Sequence, residues 1–141
     1  MSLQAIKAAQ ITVSYCGVYS LTLISQVVAK KRLHKQAIKE GKTFERYKAP
    51  GMFPYDRMTA NFLEWMPPFL GLLWSMAATE TLSNRSVHVA WAYVGLRALY
   101  VGLVWRCGML TTGYNPSLWA STFPGYACLL YLFVAAIQGV F

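Results

Sequence analysis

The sequence predicts an all-α integral membrane protein, a bundle of four transmembrane helices, and three observations carry that expectation. Residues of the set AVILMFWYC make up 56% of the chain and charged residues only 13%, whereas soluble domains run at about 45–50% apolar and about 25% charged. The charges are also segregated. None occurs between Lys7 and Lys30, between Glu64 and Glu80, between Arg85 and Arg97, or after Arg106, and uncharged runs of that length suit a hydrocarbon core about 30 Å thick. Finally, nine of the thirteen Lys and Arg lie between Lys30 and Arg57, the kind of asymmetry that orients a membrane protein with its basic loop on the cytoplasmic side. A soluble enzyme, a disordered tail or a nucleic-acid-binding module does not fit this pattern. Lys30-Lys31-Arg32-Leu33-His34-Lys35 has a nuclear-localisation spelling, but it abuts an apolar span and reads as a topology signal.

The chain reads as one domain over residues 1–141. Span one covers about 8–29, too long for the usual signal-peptide core and ending in VVAKKR rather than a small-residue cleavage site, so it reads as a retained helix. The basic stretch beyond it has no Pro or Gly before Gly41, so the helix is expected to project into water and fray there. The rest of the basic cytoplasmic loop, 30–56, contains the turn formers Pro50-Gly51 and Pro54. Span two covers about 57–79, and Ser83-Asn84 makes a short turn. Span three covers about 87–105, Gly113 to Pro116 is turn chemistry, and span four covers about 118–141. Pro124 falls in the first turns of span four, where a missing N–H is best tolerated. Arg106 returns to the side of the basic loop, and both termini face the other side. The membrane itself, endoplasmic reticulum, mitochondrial or plastid, is left open.

Cys16, Cys107 and Cys128 are odd in number, lack CxxC spacing and sit in or beside apolar runs. They read as packing residues, with no metal site. Ala92, Gly95, Ala98 and Gly102 form a small-residue stripe, which predicts a closely enclosed span three. On that reading Gly95→Leu disrupts assembly more than the same change at Gly139.

The charges inside spans two and three are the informative ones. Arg57, Asn61, Glu64 and Pro68 recur at i, i+4, i+7 and i+11, so one stripe carries a cation, an amide and a carboxylate. Arg97, nine residues before Arg106, reaches a comparable depth from span three. A lone charge there costs about 2.5–3.5 kcal/mol on insertion scales, so a structural ion pair between Glu64 and Arg97 is expected, with spans two and three face to face. Tyr93 and Tyr100 flank Arg97 at i−4 and i+3. The same groups could instead line a cavity for an anionic, amide-bearing ligand, and both roles can hold together. Pro67-Pro68 removes the donors that the carbonyls of Leu63 and Glu64 would otherwise meet, which predicts a bend and free acceptors beside Glu64.

Arg57-Met-Thr-Ala-Asn61-Phe-Leu-Glu64-Trp-Met-Pro-Pro-Phe69 resembles the R-x-x-x-N-x-x-E-x-x-P-x-F signature of the membrane-associated proteins in eicosanoid and glutathione metabolism, the MAPEG family. Phe44-Glu45-Arg46 and Arg97-Ala-Leu-Tyr100 are similar to two further elements of that family, and the resemblance covers essentially the whole chain. It implies a homotrimer of four-helix protomers in the lipid bilayer, with glutathione bound between protomers near the cytoplasmic face. By position the glutathione ligands would be Arg57, Asn61, Glu64, Arg97 and Tyr100, with Arg32 matching by location. A glutathione-dependent transferase or peroxidase acting on a lipophilic small molecule is the implied activity.

The chain departs from the family at the thiol. The activating Arg near the last helix is missing, since no Arg or Lys follows Arg106. Arg106, or a backbone donor near Thr111 and Thr112, would have to replace it. The second tyrosine of span three is Val104, and the aromatic after the span-two Glu is Trp65 rather than Tyr. The alternative is therefore a non-catalytic scaffold or an accessory subunit of a larger membrane complex. A channel or transporter is not supported, because there is no repeat of broken helices and no ring of charges.

Overall fold

The protein is described here by a computed structural model over residues 1–107 and 115–140. Four helices dominate it: α1 (Leu3–Lys39), α2 (Phe53–Ala78), α3 (Asn84–Cys107) and α4 (Trp119–Val140). Short 3-10 turns at Arg46–Lys48, Pro50–Met52 and Pro116–Leu118 complete the chain. Among the described residues there is no strand. Of the expected Gly113-to-Pro116 turn, Gly113 and Tyr114 lie outside the described residues, as do Thr111 and Thr112. Asn115 opens the last 3-10 turn, its Oδ1 accepting the N–H of Ser117 at 3.0 Å.

The chain chemistry explains where the helices begin and end. Ser2 caps α1, its Oγ accepting the N–H of Ala5 at 3.2 Å. The 37 residues of α1 make a rod of about 55 Å, far longer than the core of a bilayer, so the basic end stands clear of it. The rod stops at Gly41, whose φ of 65° is the left-handed conformation that glycine adopts without steric cost. The N–H groups of Gly41 and Lys42 close back on the carbonyls of Ile38 (3.1 Å) and Ala37 (2.9 Å), a Schellman closure. Helix α2 ends in the same way at Glu80, a non-glycine with φ 58°. That less favourable conformation is held from outside: Gln4 donates from Nε2 to the Glu80 carbonyl (2.7 Å) and accepts the Leu82 N–H on Oε1 (2.8 Å). Lys7 adds a bond from Nζ to Asn84 Oδ1 at 2.8 Å, so the first turns of α1 fasten the α2–α3 connection.

Three segments, α1, α3 and Pro116–Gly139, are long and apolar enough to cross a membrane. Helix α2 has the length, 26 residues, but carries Asp56, Arg57, Glu64 and two prolines. It belongs to the same bundle, packing chiefly on α1 and α4, while α3 packs on α4 and α1. Helices α2 and α3 touch little and lie on one diagonal of the bundle, with α1 and α4 on the other. The core between them is aromatic and branched, with Tyr15, Phe62, Phe69, Leu73, Tyr93 and Leu132 all fully buried. Pro67 and Pro68 are exposed on the outer side of α2, and the helix runs through them.

One expectation is revised. Span three is enclosed on one side only: Ala92, Gly95, Ala98 and Gly102 are exposed, and a Cβ added at Gly95 or Gly102 would meet nothing within 4 Å. The stripe of small residues faces outward, away from the bundle core. Gly139, by contrast, is the crowded position, where a Cβ would lie 2.6 Å from that of Thr81. Within the protomer, Gly139→Val is therefore expected to lower the thermal midpoint by several degrees, in line with about 1–3 kcal/mol of overpacking. Gly17→Ala, which enters open space, should leave the midpoint in place when both are melted in the same detergent.

Candidate functional site

The polar residues of α2 sort themselves by helical angle. At 3.6 residues per turn Glu64 falls within about 20° of Arg57, whereas Asn61 falls about 40° to the other side. The structure follows this division. Arg57 and Glu64 lie on the outer face, where Arg57 Nη1 donates to Glu64 Oε1 at 3.1 Å and the two side chains remain 48% and 50% exposed. Asn61 lies at the inner edge and turns towards the core, accepting Arg97 Nη1 on Oδ1 at 2.7 Å.

The expected Glu64–Arg97 pair is thus replaced by two separate arrangements. Arg97 comes from the diagonal helix and stops at the near edge of α2, so it meets Asn61 while Glu64 points past it. Only 5% of Arg97 is exposed. Its Nε and Nη2 both donate to the hydroxyl of Tyr93, at 2.9 and 2.7 Å. Its guanidinium carbon lies 5.0 Å from the ring centre of Tyr93 and 5.5 Å from that of Phe62, within cation–π reach. Among the described residues no carboxylate pairs with it. Neutral oxygens and two aromatic faces solvate the buried cation instead.

The aromatic packing extends this inner site. Tyr93 stacks on Tyr15 (6.1 Å) and tilts against Phe69 (4.5 Å), and Tyr15 donates its hydroxyl to the Phe62 carbonyl at 3.3 Å. Tyr100 is buried beside Phe62, with ring centres 6.4 Å apart. The six expected ligand residues therefore divide: Arg57, Glu64 and Arg32 are exposed, Arg97 and Tyr100 are buried, and Asn61 lies between. Arg106 is exposed in the last turn of α3, and Val104 is buried.

Two features were not anticipated. The first is the anchoring of the basic loop. Arg46 donates from Nη2 to Asp56 Oδ1 at 3.0 Å, and the same oxygen accepts Gln26 Nε2 at 2.8 Å. One carboxylate in the first turn of α2 thus ties the loop to α1, a placement the positive helix end also favours. Gln26, polar in an apolar run, was the available signal. The second is an apolar groove of about 290 Å³ beside Glu64, lined by Trp65, Pro68, Leu72, Tyr126, Leu130 and Phe133 among others. The rings of Trp65 and Tyr126 in its lining have centres 4.8 Å apart.

The model of the MAPEG family matches residues 11–138, nearly the whole chain, and the protein belongs to that family. No curated protein and no solved structure matches it.

The pairing itself can be tested with double-mutant cycles on thermal unfolding. Asn61→Ala and Arg97→Leu are expected to couple by about 0.5–3 kcal/mol. Glu64→Gln and Arg97→Leu should add to within about 0.5 kcal/mol; a larger coupling there would restore the pairing across the diagonal.

Proposed function

We propose that this membrane protein binds glutathione against the outer face of α2 and works as a homotrimer, a second copy closing the site. The observation that carries the proposal is the half-exposed Arg57–Glu64 pair. Glu64 lies about 10 Å along the helix from Arg57, in a run whose outer neighbours are apolar. Charges at such a depth face protein or a watered cavity rather than acyl chains. The outward stripes of α2 and α3 suit a protein neighbour, because Gly71, Ser75, Ala78, Gly95 and Gly102 are all exposed and small residues let helices approach closely.

The chemistry suits the tripeptide. Arg57, with Arg32 at the end of span one, matches its carboxylates, and guanidinium forks take carboxylates bidentately. Glu64 matches its ammonium group. Asn61 serves from the inner edge, held in orientation by Arg97, and Tyr100 supports the wall from behind. In this reading Arg97 and Tyr100 position the site, where the resemblance alone made them direct ligands. The groove at Trp65 offers an adjacent place for a lipophilic electrophile. Transferase or peroxidase activity then needs a group that stabilises the thiolate, the attacking form of the thiol. Arg106 is the cation left for that task.

A second reading, a member that binds without turnover as a scaffold or accessory subunit, is favoured by two observations. The described part of α4 and its approach carry no cation, and Val104 is buried where a hydroxyl would be wanted.

Calorimetry with glutathione on the detergent-purified protein tests the site. Binding is expected, and Arg57→Ala and Glu64→Gln should each weaken it at least about tenfold, the loss of roughly one charge-assisted contact. An intact oligomer that takes up no glutathione would defeat the proposal. A thiolate absorbance in the complex that disappears in Arg106→Gln would favour the enzyme over the binder.

Assembly has its own readout. Gly95→Leu, harmless inside the protomer, should convert the trimer to smaller species in size-exclusion chromatography with light scattering. A trimer unchanged by Gly95→Leu would remove α3 from the interface.

A further inference from the structure

The part of α1 that leaves the bilayer carries more positive charge than the protein's own acids balance. The chain has five acidic residues. Four of them are already paired: Glu40 with Lys42 (2.9 Å), Asp56 with Arg46 (3.0 Å), Glu45 with Lys48 (2.7 Å) and Glu64 with Arg57 (3.1 Å). The fifth, Glu80, sits at the α2–α3 turn, where Gln4 from the opposite end of α1 binds its carbonyl. The Lys42 ammonium and the Gln36 amide hold the Glu40 carboxyl below its ordinary range, so it stays engaged with them. Lys30, Lys31, Arg32, Lys35 and Lys39 are all exposed, and among the described residues none of them makes an ion pair. Arg32 belongs to the site proposed above. Four lysines remain.

Their placement selects a partner. Lys31, Lys35 and Lys39 follow one another at i, i+4 and i+8, one row along the helix. Continued downward, that row becomes Val28 and Ile24, 60% and 58% exposed. The face that is greasy at the depth of the acyl chains turns to lysine where the chains end. The loop occupies the other side of the helix: Leu33 lies against Gly51, where an added Cβ would come within 3.0 Å of it, and His34 meets the ring of Phe44 at 5.6 Å. From Lys30 to Lys39 the axis rises about 13 Å. The headgroup layer is roughly 5–7 Å deep, and charges act about 8 Å beyond it at physiological salt. The whole row therefore lies within reach of the membrane surface.

We propose that this lysine row is a binding surface for anionic phospholipid headgroups in the leaflet on the side of the basic loop. Lysine ammonium groups are point charges without a fork, and these side chains are exposed, so the surface reads negative charge and does not distinguish one acidic headgroup from another. Polybasic segments next to a membrane helix attract acidic lipids in this way.

The test uses the whole protein reconstituted in phosphatidylcholine vesicles, with spin-labelled phosphatidylserine or phosphatidylcholine as the probe. Electron spin resonance then gives the relative association of the two lipids. Phosphatidylserine is expected to be favoured severalfold, and the preference should fall as salt rises. It should collapse towards equality in Lys31→Gln/Lys35→Gln/Lys39→Gln and persist when the same three positions become Arg. Lys42→Gln/Lys48→Gln, which removes cations that are already paired, should leave it unchanged. Equal association in the native protein, or a preference that survives the triple Gln variant, overturns the proposal; the first result would leave an acidic protein partner as the occupant. Glutathione plays no part in the measurement, so it stands apart from the function proposed above.

Discussion

The bundle is organised around a cation that cannot reach water. Arg97 is buried between diagonal helices, and no carboxylate in the described structure neutralises it. An unpaired charge in a low-dielectric interior is expensive, so the fold supplies substitutes. The Tyr93 hydroxyl takes two of its N–H groups, Asn61 takes a third, and two rings present their faces. Each substitute constrains something else. Tyr93 is fixed by its stacking on Tyr15 from α1, and Asn61 fixes the rotation of α2 about its own axis. Three helices are thereby set in register by one side chain.

That rotation in turn determines what α2 shows to the outside. With Asn61 turned inward, helical geometry leaves Arg57 and Glu64 no choice but the outer face. On that face they pair with each other, at 3.1 Å. A short-range contact inside the core thus sets the character of a surface some distance away. The apolar groove at Trp65 draws on the same helix, its lining beginning one residue after Glu64.

Much of this was legible in the sequence, and what was not has a definite cause. Segregated charge and long apolar runs announce helices in a membrane, because burying charge in hydrocarbon is so costly that composition alone records it. The extension of α1 and its end at Gly41 follow from local backbone chemistry. Asn61, Glu64 and Arg97 were recognisable as residues that need partners. Their pairing was not, because it depends on which helices are adjacent and which lie on the diagonal, a property of the packed bundle that no helix encodes by itself. Opposite charge suggested Glu64 for Arg97, and a difference of about 60° around one helix axis decided against it. The small-residue stripe of α3 shows the same limit. Periodicity reveals a smooth helix face but does not say whether that face meets its own bundle or the exterior.

The basic loop completes the division between inner and outer. Asp56, in the first turn of α2, holds both Arg46 of the loop and Gln26 of α1, immediately before Arg57. Neighbouring residues on a helix point about 100° apart and do not face each other, so Asp56 turns to the loop and α1 while Arg57, within about 20° of Glu64, lies on the outer face. The loop's anchor and the outer ion pair thus occupy different faces of one helix, set by the same rotation.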